Sequence, residues 1–159
     1  MTAGRTLKPM ATADDTERTA RAVIDANLYM TLGTVDANGR PWVTPVFFAG
    51  IGTHELFWVS DLGSAHSRNL EVQPQLAIVI FDSRMPLETE GYGVYLSAVA
   101  DRPAGAARDR GLEVLTRRSE AHGGRTWTPE RVEPPAPVRL YRAVAQTLHV
   151  WPEIGAWDR

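Results

Sequence analysis

The stretch GSAHSR at residues 63–68 has the residue types and spacing of an anion site. Two serine hydroxyls, an imidazole and a guanidinium follow a run of strand-forming residues that ends at Ser60. A strand that enters a helix through a Gly-Ser turn leaves unpaired backbone N–H groups at the helix start, where the helix dipole also favours negative charge. The spacing therefore predicts a phosphate site. The same residues also fit a capped helix in which Ser64 is the N-cap and Arg68 is solvated.

Other chemistries have less support in the sequence. The absence of cysteine excludes disulfides, zinc-thiolate sites and thiol nucleophiles. The four histidines lack the spacing of paired metal ligands, so no metal site is predicted. A Ser60–Asp61–His66 hydrolase is disfavoured because the chain has no G-x-S-x-G elbow. A net charge of -2 provides no broad basic surface for nucleic acid. Catalytic side chains are left unassigned.

Length and composition predict one globular domain. The chain has 159 residues, of which 43% are hydrophobic, enough to bury a core without metal or disulfide support. We expect a flexible polar leader at residues 1–11 and a single domain over residues 12–159. No window has the length and apolarity of a signal peptide or a membrane span, so a cytoplasmic protein without a membrane partner is expected.

Six segments rich in β-branched and aromatic residues predict strands: LYMTLGTV, RPWVTPVFFA, HELFWVS, QLAIVIFDS, YGVYLSAVADR and VRLYRAVAQTLHVW. DANG is the predicted hairpin turn between the first two. Helices are predicted over DDTERTARAVIDAN, from the GSAHSR stretch to Pro74, and over PAGAARDRGLEVLTRRSEAH, with a loop at residues 123–137. Mostly antiparallel strands with few helices predict a small barrel, because closure removes exposed edges.

The second and fourth predicted strands are apolar on both faces, in the words VTPVFF and LAIVIF. A strand of this kind is covered on both sides. One cover is the barrel interior, and the other is expected to be a partner subunit.

The order of these elements, with the words DANGRP, VTPVFF, WVS and GSAHSRNLEVQPQLAIVIF, resembles the pyridoxamine 5'-phosphate oxidase-like, FMN-binding split-barrel superfamily. The resemblance covers residues 17–101 and, more weakly, LYRAVA near the end of the chain. It implies a mainly β fold, a six-stranded antiparallel split barrel with short helices, and a homodimer with two flavin sites at its interface. It also implies an FMN-dependent oxidoreductase that transfers hydride between the cofactor and a small organic substrate.

Carried over by position, the resemblance assigns cofactor contacts to four groups of residues. The phosphate would be surrounded by Ser64, His66, Ser67 and Arg68. The isoalloxazine or ribityl chain would lie along Trp58, Val59 and Ser60, and the ring would be flanked by Thr44, Val46 and Phe47. Two further contacts, Tyr92 and Gly93, would come from the partner subunit.

The chain departs from the vitamin-B6 oxidases at several of their cationic positions. Those enzymes carry basic residues near Thr44 and Ala49, and an Arg-Lys pair where this chain has Ala65 and His66. Their C-terminal Arg-x-His motif is not found in WPEIGAWDR, so oxidation of pyridoxamine phosphate is not expected. Two alternatives stay open: a reductase dependent on the deazaflavin coenzyme F-420, whose helix word is close to SAHSRNL, and a non-catalytic barrel that binds flavin or haem.

Overall fold

The structure, a computed structural model, describes residues 12–86 and 91–152, and the predicted leader at residues 1–11 lies outside these ranges. The helices are α1 (Ala13–Ala26), α2 (Ala65–Val72), α3 (Gly105–Ala121) and α4 (Pro129–Val132). The strands are β1 (Tyr29–Val35), β2 (Pro41–Phe47), β3 (Ala49–Ile51), β4 (Glu55–Asp61), β5 (Gln75–Ile80), β6 (Tyr92–Asp101) and β7 (Val138–Pro152). The predicted loop at 123–137 thus contains one short helix, which begins at a proline.

All seven strands form one antiparallel sheet in the order β2-β1-β5-β6-β7-β4-β3. The mainly β prediction is confirmed, but the prediction of six strands is wrong. The predicted second strand is interrupted at Phe48, whose side chain is fully buried and whose N–H donates to the Leu28 carbonyl at 3.3 Å. Because β2 and β3 are separated by this one residue yet lie at opposite ends of the strand order, the sheet curls back on itself.

The curled sheet separates two hydrophobic cores. The larger core lies inside the curl and includes Leu32, Ile78 and Leu96. The smaller core lies outside, beneath α3 and α4, and includes Phe57 and Leu115. Successive strand residues point to opposite faces, so β4 contributes to both cores.

Helices α1 and α2 lie at opposite ends of β4. The Thr53 hydroxyl, just before β4, donates to a Glu17 carboxylate oxygen of α1 at 2.7 Å. The α2 helix follows the end of β4, and its Asn69 amide donates to the Thr34 hydroxyl near the end of β1 at 3.0 Å. Each end of the curled sheet is therefore fixed to a helix by a side-chain hydrogen bond. None of the helices in the described ranges combines the length and the apolar character that a membrane span requires.

The outer face of β1 and β2 is open within this chain. Tyr29 is 61% exposed and Val43 is 64% exposed. On β2 the chain covers Val46 on the inner face and part of Phe47 on the outer face, whereas Trp42 and Val43 are more than half exposed. The chain by itself therefore covers neither face of the predicted second strand along its whole length.

Candidate functional site

The strands β2 and β4 are neighbours that do not pair with each other, and the boundary between β2 and the second half of β4 is called here the slit. The pairing of β3 with β4 runs from Ile51↔Glu55 to Ala49↔Phe57 and stops there. Beyond that point β2 pairs with β1 alone, although β2 and β4 remain neighbours. The facing edges of β2 and of residues 58–61 consequently carry backbone N–H and C=O groups that strand pairing does not use. Such an edge can hydrogen-bond the polar rim of a planar ligand.

The side chains that border the slit alternate between its two faces. Val46 and Trp58 belong to the inner core, whereas Phe47 and Val59 pack against the outer core. Trp58 is fully buried and stacks on Tyr141, with ring centroids 5.4 Å apart. A ring placed on the outer face would therefore meet the side chains of Phe47 and Val59 but only the backbone of Val46 and Trp58.

Sequence reasoning missed Tyr29, which stands beside the slit. Its ring meets Phe47 edge-on, with centroids 6.3 Å apart, because Tyr29 and Phe47 are register partners on β1 and β2. Only the register brings these two aromatic rings together. The predicted ring neighbour Thr44 is half-buried, and its hydroxyl accepts a hydrogen bond from the Trp42 indole N–H at 2.7 Å.

Four predicted site residues, Ser60, Ser64, His66 and Ser67, form one hydrogen-bonded group, called here the His66 cluster. His66 Nε2 lies 2.8 Å from Ser60 Oγ and 3.2 Å from Ser64 Oγ. Ser64 Oγ donates to Ser67 Oγ at 2.8 Å and accepts from the Ser67 N–H at 3.3 Å, so Ser64 is the N-cap of α2. His66 is 6% exposed and Ser67 1% exposed. These side chains face one another and are turned away from solvent.

The groups available to an anion at the start of α2 are Arg68 and the first backbone amides. Arg68 is exposed, and its Nη1 donates to the Gly63 carbonyl. Asp61 lies in the same turn, where its Oδ1 accepts from the Gly63 N–H at 2.6 Å. Because this carboxylate bonds the Gly63 N–H, it is not placed to form a Ser60–Asp61–His66 hydrolase relay. The two charged side chains of the turn have opposite signs, so they offer a ligand little net positive charge.

Tyr92 and Gly93 lie far from the His66 cluster within one chain. They begin β6 and pair with the last residues of β7. Tyr92 lines a cavity of about 480 Å³ with Val23 of α1, at the opposite end of the curled sheet from α2. One chain therefore does not bring these two predicted contacts to the slit. Among the residues described, no group of three or more His, Asp or Glu is arranged as a metal site.

Burial lowers the pKa of His66 below its ordinary value of 6.5. The folded protein thus favours the neutral ring. Above the unfolded-state pKa the ring is neutral in both states and costs the fold no stability. As the pH falls through 6.5 towards the lower folded-state pKa, protonation of the ring favours the unfolded state, so the protein loses stability. We expect the free energy of unfolding in urea to fall as the pH is lowered through 6.5, with a flatter dependence in His66→Gln. An unchanged slope in His66→Gln would contradict the assignment.

Comparison with known proteins places the chain among relatives with one common fold. The sequence profile of the family described as pyridoxamine 5'-phosphate oxidase matches residues 16–151. A pyridoxine/pyridoxamine 5'-phosphate oxidase from Ectopseudomonas mendocina (strain ymp) is 28% identical over 153 aligned positions, which cover 76% of this chain and 71% of that protein.

Solved structures with this fold carry different descriptions. A haem binding protein from Mycobacterium smegmatis has a TM-score of 0.70 at 22% identity; the alignment covers 97% of this chain and only 57% of that protein. The haem storage protein HutZ from Vibrio cholerae has a TM-score of 0.66 at 20% identity, with 86% of this chain and 93% of that protein covered. An F420 reductase has a TM-score of 0.56 at 21% identity, with 81% and 94% covered.

Proposed function

Because the chain belongs to the pyridoxamine 5'-phosphate oxidase-like superfamily, we propose that it binds FMN at the slit between β2 and β4 and transfers hydride between the flavin and a small organic substrate. The observation that carries the proposal is the slit itself. It combines two unpaired strand edges with an outer face lined by the side chains of Phe47, Val59 and Tyr29.

The residues present fit the three parts of a flavin mononucleotide. Backbone groups on β4 at residues 58–60 match the polar pyrimidine edge, and the outer-face side chains Phe47 and Val59 match the ring. The first amides of α2 and the Arg68 guanidinium suit a phosphate. When bound, FMN supplies the hydride acceptor and donor atom, while the protein orients the ring and limits its contact with water.

The open outer face of β1 and β2 supports the homodimer as part of the proposal. Exposed apolar side chains such as Tyr29 and Val43 would be covered by a second copy of the chain. Such a partner is also required if Tyr92 and Gly93 are to approach a cofactor in the slit, because within one chain they lie at the other end of the sheet. Sedimentation equilibrium tests this part, with twice the chain mass of 17.5 kDa expected.

The weak positive charge at the start of α2 keeps two alternative ligands open. His66 is buried with its pKa lowered, and Asp61 opposes Arg68, so the turn is less cationic than a phosphate monoester prefers. The solved relatives described as haem-binding and as an F420 reductase supply the two alternatives, haem and the deazaflavin.

A parallel titration distinguishes these ligands. The purified protein, stripped of cofactor, is titrated with riboflavin, FMN, coenzyme F-420 and haem, following absorbance, fluorescence quenching and thermal shift. Submicromolar binding of FMN supports the proposal. Tighter binding of haem or of F-420 than of FMN replaces it with the corresponding alternative, and no binding of any of the four overturns it.

Arg68→Ala should weaken FMN binding by about 1–3 kcal/mol, because a charge-assisted hydrogen bond to phosphate contributes that much. Riboflavin lacks the phosphate, so its dissociation constant should not change. Arg117→Ala is the matched control, since Arg117 is an exposed arginine on α3. An unchanged dissociation constant for FMN would remove Arg68 from the site.

A further inference from the structure

We propose that His66 is a positioning residue that holds the two parts of the cofactor site together and does not itself contact the phosphate. The inference rests on the proposed function and changes the role that sequence position alone gives to this histidine. The imidazole of His66 contacts Ser60 in β4 and Ser64 at the start of α2, so it bridges the turn between the strand and the helix.

The first contact holds the edge of the slit. Ser60 belongs to the segment of β4 that has lost its β3 partner, so the ladder on that side does not restrain it. Its hydroxyl lies 2.8 Å from His66 Nε2, and both residues are buried. The imidazole therefore supplies a restraint at the point where strand pairing stops.

The second contact holds the start of the helix. The same Nε2 lies 3.2 Å from the hydroxyl of Ser64, which caps α2 and bonds the Ser67 hydroxyl and N–H. A cap fixes the direction of the first amides of a helix. One nitrogen atom thus links the strand edge that would receive the ring to the helix start that would receive the phosphate.

Burial argues against direct contact with a ligand. His66 is 6% exposed, and its Nε2 is already shared between two hydroxyl groups. A phosphate could reach this nitrogen only by displacing Ser60 or Ser64. The two roles therefore predict different results for riboflavin and FMN. Loss of a phosphate contact would weaken the binding of FMN alone, whereas loss of positioning would weaken the binding of both ligands.

Two variants at one position separate these roles. His66→Phe keeps a ring of similar size but removes the nitrogen, whereas His66→Gln keeps a polar amide able to reach the two hydroxyls. Dissociation constants for riboflavin and FMN are measured at a temperature where circular dichroism shows each variant fully folded. His122→Phe, the same change at an exposed histidine, is the control.

We expect His66→Phe to raise the dissociation constant of riboflavin about tenfold, the equivalent of one lost hydrogen bond, and that of FMN by at least the same factor, because FMN uses both parts of the site. His66→Gln should restore both to within about threefold of wild type. In a Ser60→Ala background, where one of the two contacts is already absent, the effect of His66→Phe should shrink.

The opposing results are distinct. A loss confined to FMN would make His66 a phosphate contact and overturn the inference. Unchanged constants with a lowered melting temperature would leave it a purely structural residue, which also overturns the inference. If the wild-type protein binds neither riboflavin nor FMN, the proposed function itself fails. This failure is seen in the wild-type protein, whereas failure of the inference is seen only in the variants, so the two can be told apart.

Discussion

Trp58→Ala should lower the free energy of unfolding by about 3–5 kcal/mol, the largest effect expected for any single substitution here. Trp58 is fully buried in the inner core and stacks on Tyr141 at 5.4 Å with the two rings 15° from parallel. Truncation removes the apolar surface that the indole buries and opens a cavity that the surrounding strands can close only in part. Urea unfolding followed by circular dichroism measures the change.

Trp42→Ala is the matched control for this prediction. Trp42 is 52% exposed, and its indole N–H bonds the neighbouring Thr44 hydroxyl. Its removal should cost about 1 kcal/mol, the value of one such hydrogen bond. Equal losses for the two tryptophans would show that Trp58 is not the core residue described here. A stability loss in Trp58→Ala also means that cofactor affinity in this variant has to be measured well below its melting temperature.

Arg118→Met should lower the free energy of unfolding by about 2–3 kcal/mol, because charged hydrogen bonds are lost and the carbonyls they satisfy are uncovered. Arg118 lies on α3, and its Nη2 donates to the carbonyls of Ile24 at 3.1 Å and Asp25 at 3.2 Å, and to that of Asn27. The guanidinium also lies 5.1 Å from the centre of the Phe48 ring. It thereby caps the C-terminus of α1, where a cation is favoured.

Arg117→Met provides the comparison on the same helix. Arg117 is the preceding residue, its side chain is 71% exposed, and it pairs with Glu113 at 2.7 Å. An exposed pair of this kind contributes about 0–1 kcal/mol. Hydrogen exchange should also show that α1 loses protection in Arg118→Met but not in Arg117→Met. Similar losses in both variants would contradict the assigned cap.

The elements of the fold were largely readable from the sequence because their signals are local. The hairpin turn at DANG needs a residue with positive φ, and Gly39 has a φ of 76°. Ser64 caps α2, a position set by residues within the same turn. The family was also readable, because contiguous words such as GSAHSRNL carry the resemblance, and the family profile matches residues 16–151.

The interruption at Phe48 was not readable, and it changed the count of strands from six to seven. The second strand reads as one apolar run, yet its two halves pair with different neighbours, β1 and β4. Which neighbour a residue pairs with depends on the curl of the whole sheet. A run of β-forming residues carries no signal for that choice.

The sequence by itself determined which segments become strands and helices, because backbone propensity, turns and caps act over a few residues. Only the tertiary structure decided the site. In the folded chain, the edge of β4 that faces β2 is unpaired beyond Phe57, Tyr29 lies against Phe47, and His66 points inward to Ser60. Register and packing between distant segments fix these positions, as they do for Asn69 and Thr34, which lie 35 residues apart.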